Sequence, residues 1–143
     1  MSGDNHNEAQ VGAAFATVIA ATALPYGYTV SLWCSGALLI NAYGSPSVAQ
    51  ILQFAAGAVA AFGLLGLGAD RRAGAASPRP DYVLVGTLHW FAVGAAIGSV
   101  ALISHIAGWA GWALGSFSAT ALYLAGTSLE AAIATSLAGP GPR

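Results

Sequence analysis

Charge is what this sequence has least of. Four Lys or Arg and five Asp or Glu amount to 6% of its 143 residues, against about one quarter in an average soluble domain. So little charge cannot coat a water-facing surface. What there is lies apart from the apolar stretches: Asp4 and Glu8 near the start, Asp70, Arg71, Arg72, Arg79 and Asp81 in one short segment, and Arg143 at the end. Glu130 is the one formal charge outside these places. A net charge of −1 without a basic cluster argues against a nucleic-acid partner. Cysteine is nearly absent as well. The lone Cys34 excludes an internal disulfide and a multi-cysteine metal site, and it reads as a small packing residue. No phosphate-binding glycine loop, HExxH, CxxC or nucleophile elbow occurs.

Apolar residues fill the rest, at 57% hydrophobic and a mean hydropathy of +0.70. Runs beyond the ~20 residues that cross a bilayer follow one another. They are continuous rather than alternating, which speaks against a β-barrel. The expected fold is therefore all-α: a polytopic integral membrane protein, one four-helix transmembrane bundle with spans at about 11–40, 47–69, 82–106 and 110–137.

The first apolar segment, Val11 to Tyr43, is roughly 50 Å if wholly helical, too long for one upright span. Pro25 lies inside it and removes a helix hydrogen bond. Two readings fit. One is a single kinked, tilted helix, which is favoured. The other is a span ending near Trp33, with Tyr26, Tyr28 and Trp33 in an interfacial belt and CSGALLINAY as a short interfacial piece. Ala21-Thr22-Ala23 resembles a leader cleavage site, but the residues before it carry two acids and no Lys or Arg, so this segment is expected to be retained.

NAYGSPS, residues 41–47, is a turn with a helix start built in: Gly44 breaks the run, and either Ser45 or Ser47 caps the second helix. DRRAGAASPRPD, residues 70–81, is a water-exposed loop. Three of the four basic residues fall there, so the loop should face the cytoplasm of a cell (inner) membrane, with both termini on the same side. Gly108 and Gly111 mark a tight hairpin, with Trp109 and Trp112 at the outer interface, and Gly139-Pro140-Gly141-Pro142 ends the last helix. VGAAFATVIAATAL from Val11 resembles VGAAIGSVALISHI from Val93, but the two sit at different depths and are read as coincidence.

Membrane helices associate through close packing, for which small residues four apart are suited. Gly94 with Gly98, Gly57 with Ala61, Gly111 with Gly115 and Ala119, and Gly12 with Ala16 and Ala20 supply them. They serve packing within the bundle, or a homo-oligomer.

The last helix carries the most organised polar signal. Ser116, Thr120, Tyr123, Thr127 and Glu130 are spaced 4, 3, 4, 3, which lays them along one face. Ser and Thr can satisfy themselves on their own helix. A carboxylate in hydrocarbon costs at least ~3 kcal/mol, so Glu130 must be neutral, paired or wet. His89 is its natural partner: it lies 20 residues before Trp109 and Glu130 lies 21 after, so an antiparallel pair brings them to similar depth. The candidate binding residues are thus Glu130, His89, Thr127, Tyr123 and Thr120, as a proton or cation site; the plainer alternative is a packing clamp. His105 is turned ~160° from His89 and displaced ~24 Å along the helix, so the two cannot share a metal or haem. His105 is expected to be hydrated, and no metal or other cofactor is expected. Gln50 and Gln53 share one face and are read as satisfying turn backbone or neighbouring helices.

Function is read as a small oligomeric channel or transporter with a buried His–Glu site. The alternative is a non-catalytic accessory subunit of a larger membrane complex. An enzyme is disfavoured, because one carboxylate and one partner are little for acid–base work. The expected partners are the lipid bilayer and copies of itself or other membrane subunits.

Overall fold

A computed structural model describes residues 25–70, 82–106 and 108–137. These residues are all-helical, with no strand among them. The first helix, α1, is described over residues 25–43. It is followed by α2 (Val48–Asp70), α3 (Tyr82–Ile106) and α4 (Gly111–Leu137). Residues 11–24, the charged loop over 71–81 and the residues after Leu137 lie outside the described part, and with them any bend at Pro25 and the Gly12-Ala16-Ala20 row.

The boundaries follow from local chemistry. α1 runs unbroken through Trp33 and on to Tyr43, so the segment from Cys34 is helix and not a separate interfacial piece. It stops where Gly44 takes φ 81°, a left-handed conformation that costs glycine nothing, and the Gly44 amide closes back on the Ile40 carbonyl at 2.8 Å. Ser47 then caps α2 in a reciprocal box. Its hydroxyl accepts from the Gln50 amide at 3.4 Å, while the Gln50 side-chain oxygen accepts from the Ser47 amide at 2.8 Å. Between α3 and α4 the Gly111 amide donates to the Gly108 carbonyl at 3.1 Å, which closes the hairpin.

α4 is the central helix. It packs against both α3 and α2, while α2 and α3 do not approach each other among the described residues. Contacts set the directions. Gly27 and Tyr43 of α1 meet His89 and the Ile103 carbonyl of α3, so these two run parallel. Tyr28 and Leu39 meet Thr120 and Gly115 of α4, so those run antiparallel. Phe54 and Gly57 of α2 face Trp112 and Ala113. The path is up, down, up, down.

The helices come close because small residues line the contacts. A Cβ on Gly57 would strike the Ala113 carbonyl and the Ser116 hydroxyl, and one on Gly126 would lie 2.7 Å from the Ala92 Cβ. Ala92, Ala96 and Ala119 are likewise buried among Leu39, Val100 and Trp112. Gly94 and Gly98 behave differently: a Cβ on either meets open space, so that row faces outward.

Trp112 departs from expectation. Trp109 is 81% exposed but Trp112 only 3%, its ring edge-on to Phe54 at 6.5 Å and tilted against Tyr43 at 6.3 Å. Trp109 lies in the turn, whereas Trp112 begins the row 112, 116, 119, 123 that faces inward along α4.

The outside of the bundle is apolar and much of the inside is polar. Trp33, Val59, Phe91 and Leu102 face outward, while Ser31, Ser35, Ser116, Thr120 and Glu130 are buried. The inside still holds the apolar core of Leu39, Val100 and Trp112; it is the extent of apolar surface outside that is unusual for a protein in water. By length and composition, one stretch among the described residues, Val48–Gly68, is long and apolar enough to cross a membrane.

Replacing Gly57 with Val should overpack the α2–α4 contact and cost about 1–3 kcal/mol. Gly94→Ala, which meets no neighbour, should be neutral within about 0.5 kcal/mol or mildly stabilising. Reversible unfolding of the purified chain compares them, and equal behaviour would contradict the packing described.

Candidate functional site

The site lies at the end of the bundle where α1 and α3 begin their described parts and α2 and α4 finish. α3 contributes His89, two turns into the helix. α4 contributes Glu130 and, seven residues earlier, Tyr123 on the same face. His89 bridges them: its Nδ1 lies 3.4 Å from Glu130 Oε2, and its Nε2 lies 3.1 Å from the Tyr123 hydroxyl. The two rings meet edge to face, with centroids 5.4 Å apart and planes at 87°. Glu130 is 5% exposed. Its second oxygen, Oε1, is buried without a hydrogen-bond partner among the described residues.

Gly27 of α1 makes this possible. A Cβ there would overlap His89 Nε2 and come within 3.0 Å of the Tyr123 hydroxyl, so only a hydrogen at this position leaves room for the imidazole. The neighbouring Tyr28 continues the polar line inward. Its hydroxyl is 3.2 Å from Thr120 Oγ1, and its ring packs on Tyr123 at 5.5 Å and edge-on to Phe62 at 5.2 Å.

Of the five residues expected from the sequence, Glu130, His89 and Tyr123 are therefore joined directly. Thr120 is linked to them through Tyr28. Thr127 is not: its hydroxyl returns to the Leu124 carbonyl of its own helix at 3.1 Å. Ser116, in the same row, likewise returns to the Ala113 carbonyl. Gly27 and Tyr28 are the members that sequence reasoning misses. Their Tyr-Gly-Tyr setting looks interfacial, and nothing local reveals that a glycine one helix away makes space for a histidine.

Chemically, the line can hold its protons in more than one arrangement. An imidazole presents one donor and one acceptor when neutral, and two donors when protonated. With Glu130 ionised, Nδ1–H donates to Oε2 and Nε2 accepts from the Tyr123 hydroxyl. With one more proton in the cluster, Nε2–H donates to the Tyr123 oxygen and Glu130 and Nδ1 share the added proton. The same heavy-atom positions serve both states. Among the described residues no three His, Cys, Asp or Glu side chains converge as a metal-binding group. His105, at the far end of α3, is exposed. Comparison with protein-family models, with curated proteins and with solved structures finds no match.

His89→Leu should leave Glu130 buried without its partner, and Glu130→Leu should do the same to His89. In a double-mutant cycle on unfolding free energy the pair should couple by about 0.5–3 kcal/mol. Additive losses would mean that the 3.4 Å contact holds nothing.

Proposed function

We propose that this chain is an integral membrane protein of four spans and that the Tyr123–His89–Glu130 line is a proton- or cation-handling site used in transport. The observation that carries the reading is a carboxyl group 5% exposed and held by an imidazole, in a bundle whose outer surface is apolar. Ionisable side chains inside a membrane are rare and mark substrate or proton pathways.

The membrane placement has three supports. The stretch Val48–Gly68 has only 17% of its length buried, unlike a core helix of a water-soluble protein. On the other helices too, large apolar residues such as Trp33, Phe91, Leu102 and Leu129 face outward. On α4 the polar residues Ser116, Thr120 and Glu130 are buried, while Leu114, Leu122, Leu129 and Ile133 face outward beside Ser128 and Ser136. With three arginines in the segment 71–81, the positive-inside rule puts that loop, both termini and the nearby site toward the cytoplasm. The interior is filled by Leu39, Val100, Trp112 and Tyr123, so a single chain has little room for a pathway. An oligomer in the cell membrane would supply one.

Proteoliposomes with an imposed pH gradient and an internal pH dye test the reading. Glu130→Gln and His89→Phe should slow proton flux roughly 100-fold, the lower range for a positioned proton-transfer group. Thr127→Val, whose hydroxyl serves its own helix, should stay within about twofold. Flux indifferent to Glu130 would remove the site.

A second reading, an accessory subunit of a larger membrane complex, is favoured by one observation. Gly94 and Gly98 present an outward row that no described residue covers, and such rows suit close helix contacts. Purification in mild detergent separates the two: copies of this chain alone favour the transporter, and an unlike chain at fixed stoichiometry favours the subunit.

A further inference from the structure

We propose that the outward groove between α3 and α4 binds a lipophilic amine, with Glu130 as the counter-ion of its ammonium head. The inference rests on reading Glu130 as a protonatable carboxyl in an apolar setting, and it goes further by assigning a substrate class. The groove has a volume of about 440 Å³. Its walls are apolar, with Phe91, Ala95, Leu122, Leu129 and Ile133 among them, and Glu130 is the one polar residue among the described ones that line it.

Two facts about Glu130 select the occupant. Oε2 is engaged by His89, whereas Oε1 is buried with no donor among the described residues. A buried carboxylate oxygen without a donor is costly, and no described side chain lining the groove offers one. An ammonium head supplies the N–H donor and the opposite charge together. A neutral alcohol supplies only the first, and a quaternary ammonium only the second. An alkyl tail suits the rest of the groove, since ligand sites are mostly apolar with a few placed polar groups. Glu130 itself lines the groove, and the terminal torsion of a carboxylate is broad enough for its plane to adjust to an ammonium head there. Close packing of Gly126 on Ala92 keeps the two helices near each other beside Glu130.

Amine and proton then compete for one group. A protonated Glu130 that accepts R–NH3+ becomes a carboxylate paired with the ammonium and releases its proton to water, so binding one cation displaces one proton. This exchange is the step a proton-coupled transporter of such amines requires.

The test uses the full chain in phosphatidylcholine nanodiscs and dicyclohexylcarbodiimide. The O–H of a protonated carboxyl adds across a C=N bond of that reagent, and the adduct rearranges to a stable N-acylurea that peptide mass analysis locates. Glu130 should be labelled, and saturating dodecylamine should slow the labelling about tenfold, as expected for one charge-assisted hydrogen bond. By the same reasoning 1-dodecanol and dodecyltrimethylammonium should slow it less than about twofold. If Glu130 never labels, the underlying reading of a protonatable carboxyl in an apolar setting falls, and the amine site with it. If it labels at one rate with and without dodecylamine, the amine site alone is overturned. Equal protection by 1-dodecanol would mean that the groove takes any alkyl tail, and it too overturns the charge pairing.

Discussion

The contact between His89 and Glu130 is the constraint around which this bundle is arranged. A carboxyl group removed from water must be neutral or paired, and here the partner comes from the neighbouring helix across 3.4 Å. Several otherwise unrelated features of the sequence make sense only in its presence. Gly27 must lack a side chain for the imidazole to fit. Gly126 must lack one for α4 to approach α3 beside Ala92. Tyr123 occupies the other imidazole nitrogen, which sets the direction of the line.

Burial places the His89–Glu130 contact where water is scarce, and that changes what a histidine and a glutamate can do. In bulk water the pair would exchange protons with solvent independently. At 3.4 Å the charge of one bears directly on the other. In the proposed reading, an ion that reaches Glu130 bears on the proton of His89 as well. This is the physical ground for reading the line as a transport site. The central position of α4 serves the same end: among the described residues, Ser116, Thr120 and Glu130 of the five buried polar ones lie on it, the other two, Ser31 and Ser35, on α1.

The helices themselves are easy to read. Apolar runs bounded by Gly44, the 70–81 segment and Gly108 place α2, α3 and α4 to within a residue, and the Ser47–Gln50 cap is visible as a spacing. The polar row on α4 follows from 4, 3, 4, 3 periodicity, and depth counting from the hairpin pairs His89 with Glu130. Periodicity also places Thr127 in the row, but it cannot say that a hydroxyl will turn back on its own helix. Trp112 is misjudged because tryptophan suits an interface in composition; its register with Ser116 and Tyr123 is the better guide.

By itself, then, the order of residues determined α2, α3 and α4, their ends to within a residue, and which side chains share a face, because those depend on short-range spacing and on where charge is missing; it left open whether the first segment continues as helix past Trp33. Tertiary structure alone decided which glycines make contacts and which face outward, that Tyr28 and not Thr127 extends the polar line, and that one oxygen of Glu130 is left without a donor among the described residues. Such outcomes depend on how helices distant in sequence rotate and approach, and rotation about a helix axis leaves no mark in the spacing of that helix's own residues.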